Sequence, residues 1–281
     1  MLTIGSHLST HYGYLRMAEE TVSINGTTFQ YFTRNPRGGA QRALDQKDID
    51  AFNAYVADHP VTDFLGYAPY DVDPGEADQA KQDFARMVML EDLARLELMP
   101  GSRYLVRPGS VGDLPAGQGE ANAAATFNHV LQAHHDVPVL LATMPGEGTQ
   151  IGSTFESLAA ILGGIDAAYP VGVLLDASAA YAAGYDVKND LDGVLQKFDQ
   201  VIGLDKLKAV HLNDIKEALG SDADRHARIG EGQIGFDALA AMTVHPALRD
   251  LPFYLEEPKA DLVIYEKDIA RFRAYYQEHV G

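Results

Sequence analysis

Short apolar runs alternate with longer amphipathic segments from one end of the chain to the other. The runs at residues 2–5, 28–32, 64–67, 103–106, 138–142, 171–175, 209–212 and 253–255 read as strands. Between them lie segments with apolar residues near every third or fourth position, as at 79–98, 154–162 and 262–276, which read as helices. Eight strand-plus-helix units in 281 residues give an α/β fold that closes as a TIM (β/α)8 barrel, one domain over 1–281. A doubly wound open sheet is the alternative, but no GxGxxG turn follows the first strand. Neither a linker, a low-complexity tract nor a solenoid-type repeat interrupts the pattern.

In such barrels the chemistry gathers at the C-terminal ends of the strands. Here that rule picks out Tyr67, Arg107, Ala142, Asp176, His211 and Glu256. A buried carboxylate is costly, so Asp176 and Glu256 must each meet a cation or a hydrogen-bond donor. The chain has no cysteine, which excludes disulfides and thiolate ligands. Any metal must therefore sit on His, Asp and Glu. No apolar run reaches the length of a membrane span, and MLTIGSHLS has no basic segment before an apolar one, so a cytoplasmic location is expected. A net charge of -18 counts against a broad nucleic-acid footprint. Binding to DNA would have to be focused in a local basic or metal-charged cleft.

The richest stretch is KAVHLNDIKEALGSDADRHARIGEGQIG, residues 208–235. His211 ends an apolar run, and Asp224 and His226 stand two residues apart. If that triplet is extended, both side chains face one way and could grip one metal. The plainer reading is that Asp224 and His226 hold their loop by hydrogen bonds. His134 and His135 read as helix-end residues, because adjacent imidazoles chelate poorly.

Together with IGSHLS (4–9), FTRNPR (32–37), YLVRPGS (104–110), VGVLLDASAAYAAGYD (171–186) and LPFYLEEP (251–258), this stretch resembles the endonuclease IV family. The resemblance implies a TIM barrel with a trinuclear zinc cluster that hydrolyses the phosphodiester 5′ to an abasic site in DNA repair. Carried over residue by residue, Asp176, His211 and Glu256 match ligands of one metal, and Asp224 and His226 match two ligands of another. Tyr67 and Arg107 stand where two histidines would hold the first metal. Ala142 stands in place of the bridging glutamate, and Ala179 in place of the histidine that would complete the site of Asp224 and His226. Arg37 and Tyr70 match residues that press against DNA, while Asp71 replaces an apolar neighbour and opposes phosphate.

The resemblance thus leads us to expect an endonuclease IV-like phosphodiester hydrolase of abasic DNA with a degraded metal centre. One divalent metal, zinc or manganese, is expected on Asp176, His211 and Glu256, without the full trinuclear cluster. Glu256 and Arg107 are the candidate catalytic groups. Arg107 would either pair with Asp176 or Glu256, or hold a phosphate. Glu147, past the vacant position at Ala142, is a candidate substitute ligand. Loss of the bridging geometry would cost roughly a thousandfold in rate, so catalysis is expected to be weak or lost. Any activity would be that of a metal-dependent hydrolase, with abasic DNA or another phosphate-bearing ligand as partner. Two alternatives stand beside it: a non-catalytic relative that binds a ligand or partner in the old cleft, and a single-metal sugar isomerase or epimerase, for which Ala142 is the missing ligand.

Overall fold

Successive side chains of a strand point to opposite faces, and that alternation builds this protein's two hydrophobic layers. A computed structural model describes residues 1–36, 42–134 and 136–280, so Arg37 and His135 lie outside the described residues. Strands β1 (Ile4–His7), β2 (Thr28–Phe32), β3 (Leu65–Tyr67), β4 (Arg103–Val106), β5 (Val139–Ala142), β6 (Val171–Asp176) and β7 (Leu207–His211) run in parallel. After β7 come the short strands β8 (Asp214–Ile215) and β9 (His226–Ala227), then β10 (Phe253–Leu255). β10 pairs with both β7 and β1 and closes the barrel. The eight-stranded α/β barrel is the fold expected from the pattern.

On each barrel strand one set of side chains fills the lumen. Leu65, Leu105, Leu140, Leu174, Ala209 and Tyr254 form that inner cluster. Their neighbours Tyr104, Val139, Leu141, Val173, Val210 and Phe253 belong to the outer core, beneath the surrounding helices. Gly5 of β1 has no room for a side chain, because an added Cβ would collide with the carbonyl oxygen of Thr28. β1 begins two residues later than the apolar run suggests. Its pairing starts where Ile4 meets Phe253 and Gly5 meets Thr28, which leaves Leu2 in the outer core.

The helices are α1 (Tyr14–Ser23), α2 (Gln46–Asp58), α3 (Gln79–Leu96), α4 (Gln118–Leu131), α5 (Phe155–Gly164), α6 (Ala177–Ala182), α7 (Leu191–Val201), α8 (Phe236–Val244) and α9 (Leu262–Val280). Several start at a capping side chain that accepts a hydrogen bond from an otherwise unpaired N–H. Asp78 caps α3 through Lys81 N at 3.0 Å, Thr154 caps α5 through Ser157 N at 3.1 Å, and Asp190 caps α7 through Gly193 N at 3.1 Å. No described helix is long and apolar enough to cross a membrane. His134 lies just beyond α4 and bonds Glu97 at 3.0 Å.

Candidate functional site

The lumen alternation also sets the site. Two residues beyond Leu65, Leu105, Leu140, Leu174, Ala209 and Tyr254 come Tyr67, Arg107, Ala142, Asp176, His211 and Glu256. All six line one polar cleft of about 330 Å³ at the C-terminal end of the barrel, with Asp224, His226, Ala179, Tyr70 and Glu147. A wider groove of about 770 Å³ adjoins it, and Glu256 lines both.

Asp176 ends β6 and caps α6. Its Oδ1 accepts from Ser178 N at 2.9 Å, Ser178 Oγ at 2.7 Å and Ala179 N at 3.2 Å. Its Oδ2 faces His211 Nδ1 at 2.8 Å and accepts from Asn213 Nδ2 at 2.9 Å. Burial alone would raise the pKa of Asp176. The hydrogen bond and charge of His211, with His226 and Ser178 behind it, outweigh burial and hold the carboxyl well below the usual range.

His211 has its other ring nitrogen 2.6 Å from Gln30 Oε1. Both nitrogens are therefore engaged, and a metal at His211 must displace Asp176 or Gln30. The amide of Gln30 donates to Glu256 Oε2 at 3.1 Å and faces His7 Nδ1 at 2.9 Å. The sequence pointed to Asp176, His211 and Glu256 as one ligand set. In the structure, buried Gln30 ties His211 to Glu256. Burial is also the largest influence on His7 and lowers its pKa.

Asp224 and His226 approach the cleft from the segment before and within β9, which pairs antiparallel with β8. His226 Nδ1 donates to the Glu256 carbonyl at 3.0 Å and Nε2 faces Asp224 Oδ2 at 3.6 Å. Burial would depress this imidazole. The carboxylate of Asp224, reinforced by Asp176 and Glu256, instead raises it to about 9. Ser178 Oγ lies 2.7 Å from Asp176 Oδ1 and 3.0 Å from Asp224 Oδ2, and its single proton can serve one carboxylate at a time. Asp224 Oδ1 is buried with no hydrogen-bond partner.

Donor atoms of Asp176, Asp224 and His226 all lie within 4.8 Å of one another, a group able to hold a metal. Two carboxylates and an imidazole suit zinc or manganese and leave coordination positions open. The orphaned Asp224 Oδ1 is the atom such an ion would satisfy. The structure thus gathers one residue from the first expected set and both from the second. Exposed Glu147 lines the cleft but does not join that donor group.

The other wall of the cleft is built from different chemistry. Arg107 Nε donates to Tyr67 OH at 2.9 Å, and the guanidinium carbon lies 4.0 Å from the centre of the Tyr70 ring. Tyr67 stacks on Phe32 at 5.2 Å, and Phe32 meets Tyr70 edge-on at 5.2 Å. A guanidinium has no lone pair to offer a metal, the Tyr67 oxygen already accepts from Arg107 Nε, and Ala142 and Ala179 carry no donor atom at all. Tyr70 covers Arg107, and neighbouring Asp71 is exposed.

Gln30, Ser178 and Asn213 are the site residues that sequence reasoning missed. Gln30 carried a signal, as an amide between aromatic residues in TFQYF, and the structure buries it fully. Asn213 connects the Asp176 carboxylate to the Glu256 N–H, which donates to Asn213 Oδ1 at 3.0 Å.

Known proteins share this architecture. A family profile described as xylose isomerase-like TIM barrel matches residues 18–275. A probable endonuclease 4 of Alkaliphilus oremlandii (strain OhILAs) is 44% identical over 278 residues, 99% of each chain. One of Clostridium beijerinckii (strain ATCC 51743 / NCIMB 8052) is 42% identical, covering 99% of this chain and 100% of the relative. Among solved structures, endonuclease IV from Thermus thermophilus superposes with a TM-score of 0.86 at 30% identity, over 98% of this chain and 99% of that one.

Proposed function

The chain belongs to the endonuclease IV family of xylose isomerase-like TIM barrels, and from that premise we propose a metal-dependent phosphodiester hydrolase of abasic DNA, reduced to one metal. Asp176, Asp224 and His226 would hold the ion. The observation that carries this reading is their convergence within 4.8 Å around a buried carboxylate oxygen with no partner. Zinc or manganese bound there would supply Lewis-acid polarisation of a phosphoryl oxygen.

The remaining roles belong to the protein. Ser178 and the α6 N–H groups fix Asp176, and the Glu256 carbonyl orients His226 with Nε2 toward the cluster. Glu256 Oε2 is anchored by Gln30, which leaves Oε1 as the candidate atom to accept a proton from an attacking water. Because Ala142 and Ala179 offer no ligand, the leaving oxygen lacks a second ion, and a rate roughly a thousandfold below that of a full cluster is expected.

The test is elemental mass spectrometry of protein purified without added metal or chelator, with nicking of an abasic-analogue duplex in parallel. About one equivalent of zinc or manganese per chain is expected, lost in Asp224→Asn, with slow nicking that chelator abolishes. Folded protein that takes up no metal would overturn the proposal and favour a non-catalytic cleft. Two or three equivalents would refute the single-metal centre, and turnover of a ketose without nicking would move the protein to the isomerase class.

A further inference from the structure

We propose that Arg107 is a built oxyanion subsite that binds the phosphoryl group directly, without metal. The proposal rests on the phosphate-ester reading above, but it concerns a different group and a different wall of the cleft.

Arg107 is packed on one side and open on the other. Its Nε is held by Tyr67 OH at 2.9 Å, and the Tyr70 ring covers the guanidinium face at 4.0 Å. Tyr67 is itself fixed by stacking on Phe32. The plane and direction of the guanidinium are thus set before any ligand arrives. With Nε taken, the edge formed by the two terminal nitrogens is the one left to donate.

That edge has no carboxylate partner among the described residues. The contrast with other packed arginines is informative. Arg34 pairs with Asp92 at 2.7 Å, Arg271 with Asp268 at 2.7 Å, and Arg103 with Asp63, while half-buried Arg273 donates to the carbonyls of Asn25 at 2.9 Å and Leu2 at 3.2 Å. Arg107 meets a phenol and two aromatic faces instead, with Glu256 acting only through space. Arg107 is half-buried, and its terminal nitrogens meet no bonded counter-ion, so an anion can take them without first breaking an ion pair. Two parallel N–H groups match the two non-bridging oxygens of a phosphate ester.

The cleft is scaled to such a group. Its volume of about 330 Å³ suits one sugar-phosphate unit. Arg107 and the Asp176–Asp224–His226 cluster both line it, so one phosphoryl group can meet the guanidinium from one wall and the metal site from the other.

Chelator-treated full-length protein should be titrated calorimetrically with inorganic phosphate and, separately, with acetate. Metal-free wild type is expected to bind phosphate more tightly than acetate. Arg107→Met should weaken phosphate binding at least tenfold while retaining metal when purified without chelator. Arg107→Lys, which keeps the charge but loses the fork, should fall between the two, and its thermal melt guards against misfolding. Asp224→Asn should do the reverse, losing metal and keeping phosphate. No phosphate binding by metal-free wild type would overturn the proposal, as would unchanged affinity in folded Arg107→Met. Equal or tighter binding of acetate would make it a carboxylate site and reject the phosphoryl assignment. A protein that binds phosphate but never metal would sink the metal reading alone.

Discussion

Gln30 shows how much one side chain decides in this cleft. It is fully buried, and its amide connects His211, His7 and Glu256, residues from three other strands or strand ends. Replacing it with leucine keeps the volume but leaves His211 Nε2 facing an apolar group. An unsatisfied buried polar atom costs about 1–3 kcal/mol, so Gln30→Leu should lower the melting temperature by several degrees. It should leave metal content unchanged, because Gln30 touches none of Asp176, Asp224 and His226. Loss of metal in a folded Gln30→Leu protein would show instead that His211 is a ligand held in place by its amide partner. The sequence made His211 and Asp176 legible as strand-end residues, and the structure sets them side by side across β6 and β7. It could not show that His211 is already engaged on both sides, because its amide partner lies 181 residues away in the chain.

At the level of elements, the barrel strands were readable because their apolar runs are continuous and regularly spaced. β8 and β9 were not, because two-residue strands leave no period to detect. What holds them is Asp214. Its buried carboxylate accepts from the N–H groups of Ile215, Gly230, Gly232, Ile234 and Gly235, drawing the loop 229–235 against the hairpin. Gly232 is required there, since a Cβ would strike the same carboxylate. The string of glycines that makes this stretch recognisable therefore has a structural cause. It lets backbone N–H groups converge on one side chain. β9 carries His226, so Asp214 also positions one member of the Asp176–Asp224–His226 group. Asp214→Ala strands several buried N–H groups at once and should destabilise the protein by about 3–5 kcal/mol. Chemical denaturation would measure that loss, and metal content should fall with it. A variant as stable as wild type would show that the loop is held by something other than this carboxylate.

On the scale of the whole molecule, charge sets how the cleft meets a polyanion. The net charge is -18, and the loop after β3 adds Asp71, Asp73, Glu76 and Asp78 near the mouth of the barrel. Part of that acidity is structural. Asp73 is turned inward onto Ser110 N at 3.0 Å and Gly75 N at 3.1 Å, and Glu76 pairs with Lys81 at 2.7 Å. Asp71 remains exposed. The groove arginine Arg34 is already bound to Asp92 and Glu91. Among the described residues of the cleft, Arg107 and an ion held by Asp176, Asp224 and His226 would then be the groups that draw a phosphate inward. Each phosphate neutralised by a protein contributes a slope of about -0.9 to the dependence of log affinity on log salt. Contact with one or two phosphates predicts a total slope of about -1 to -2 for an abasic-analogue duplex, measured by fluorescence anisotropy between roughly 50 and 200 mM salt. Arg107→Met should flatten it by about one unit. A slope of about -5 or steeper would require a cationic track along the duplex, and recognition would then depend on surface well outside the cleft. A shallow slope would mean that this acidic barrel holds DNA through the cleft alone, by the Arg107 guanidinium and any metal ion held by Asp176, Asp224 and His226.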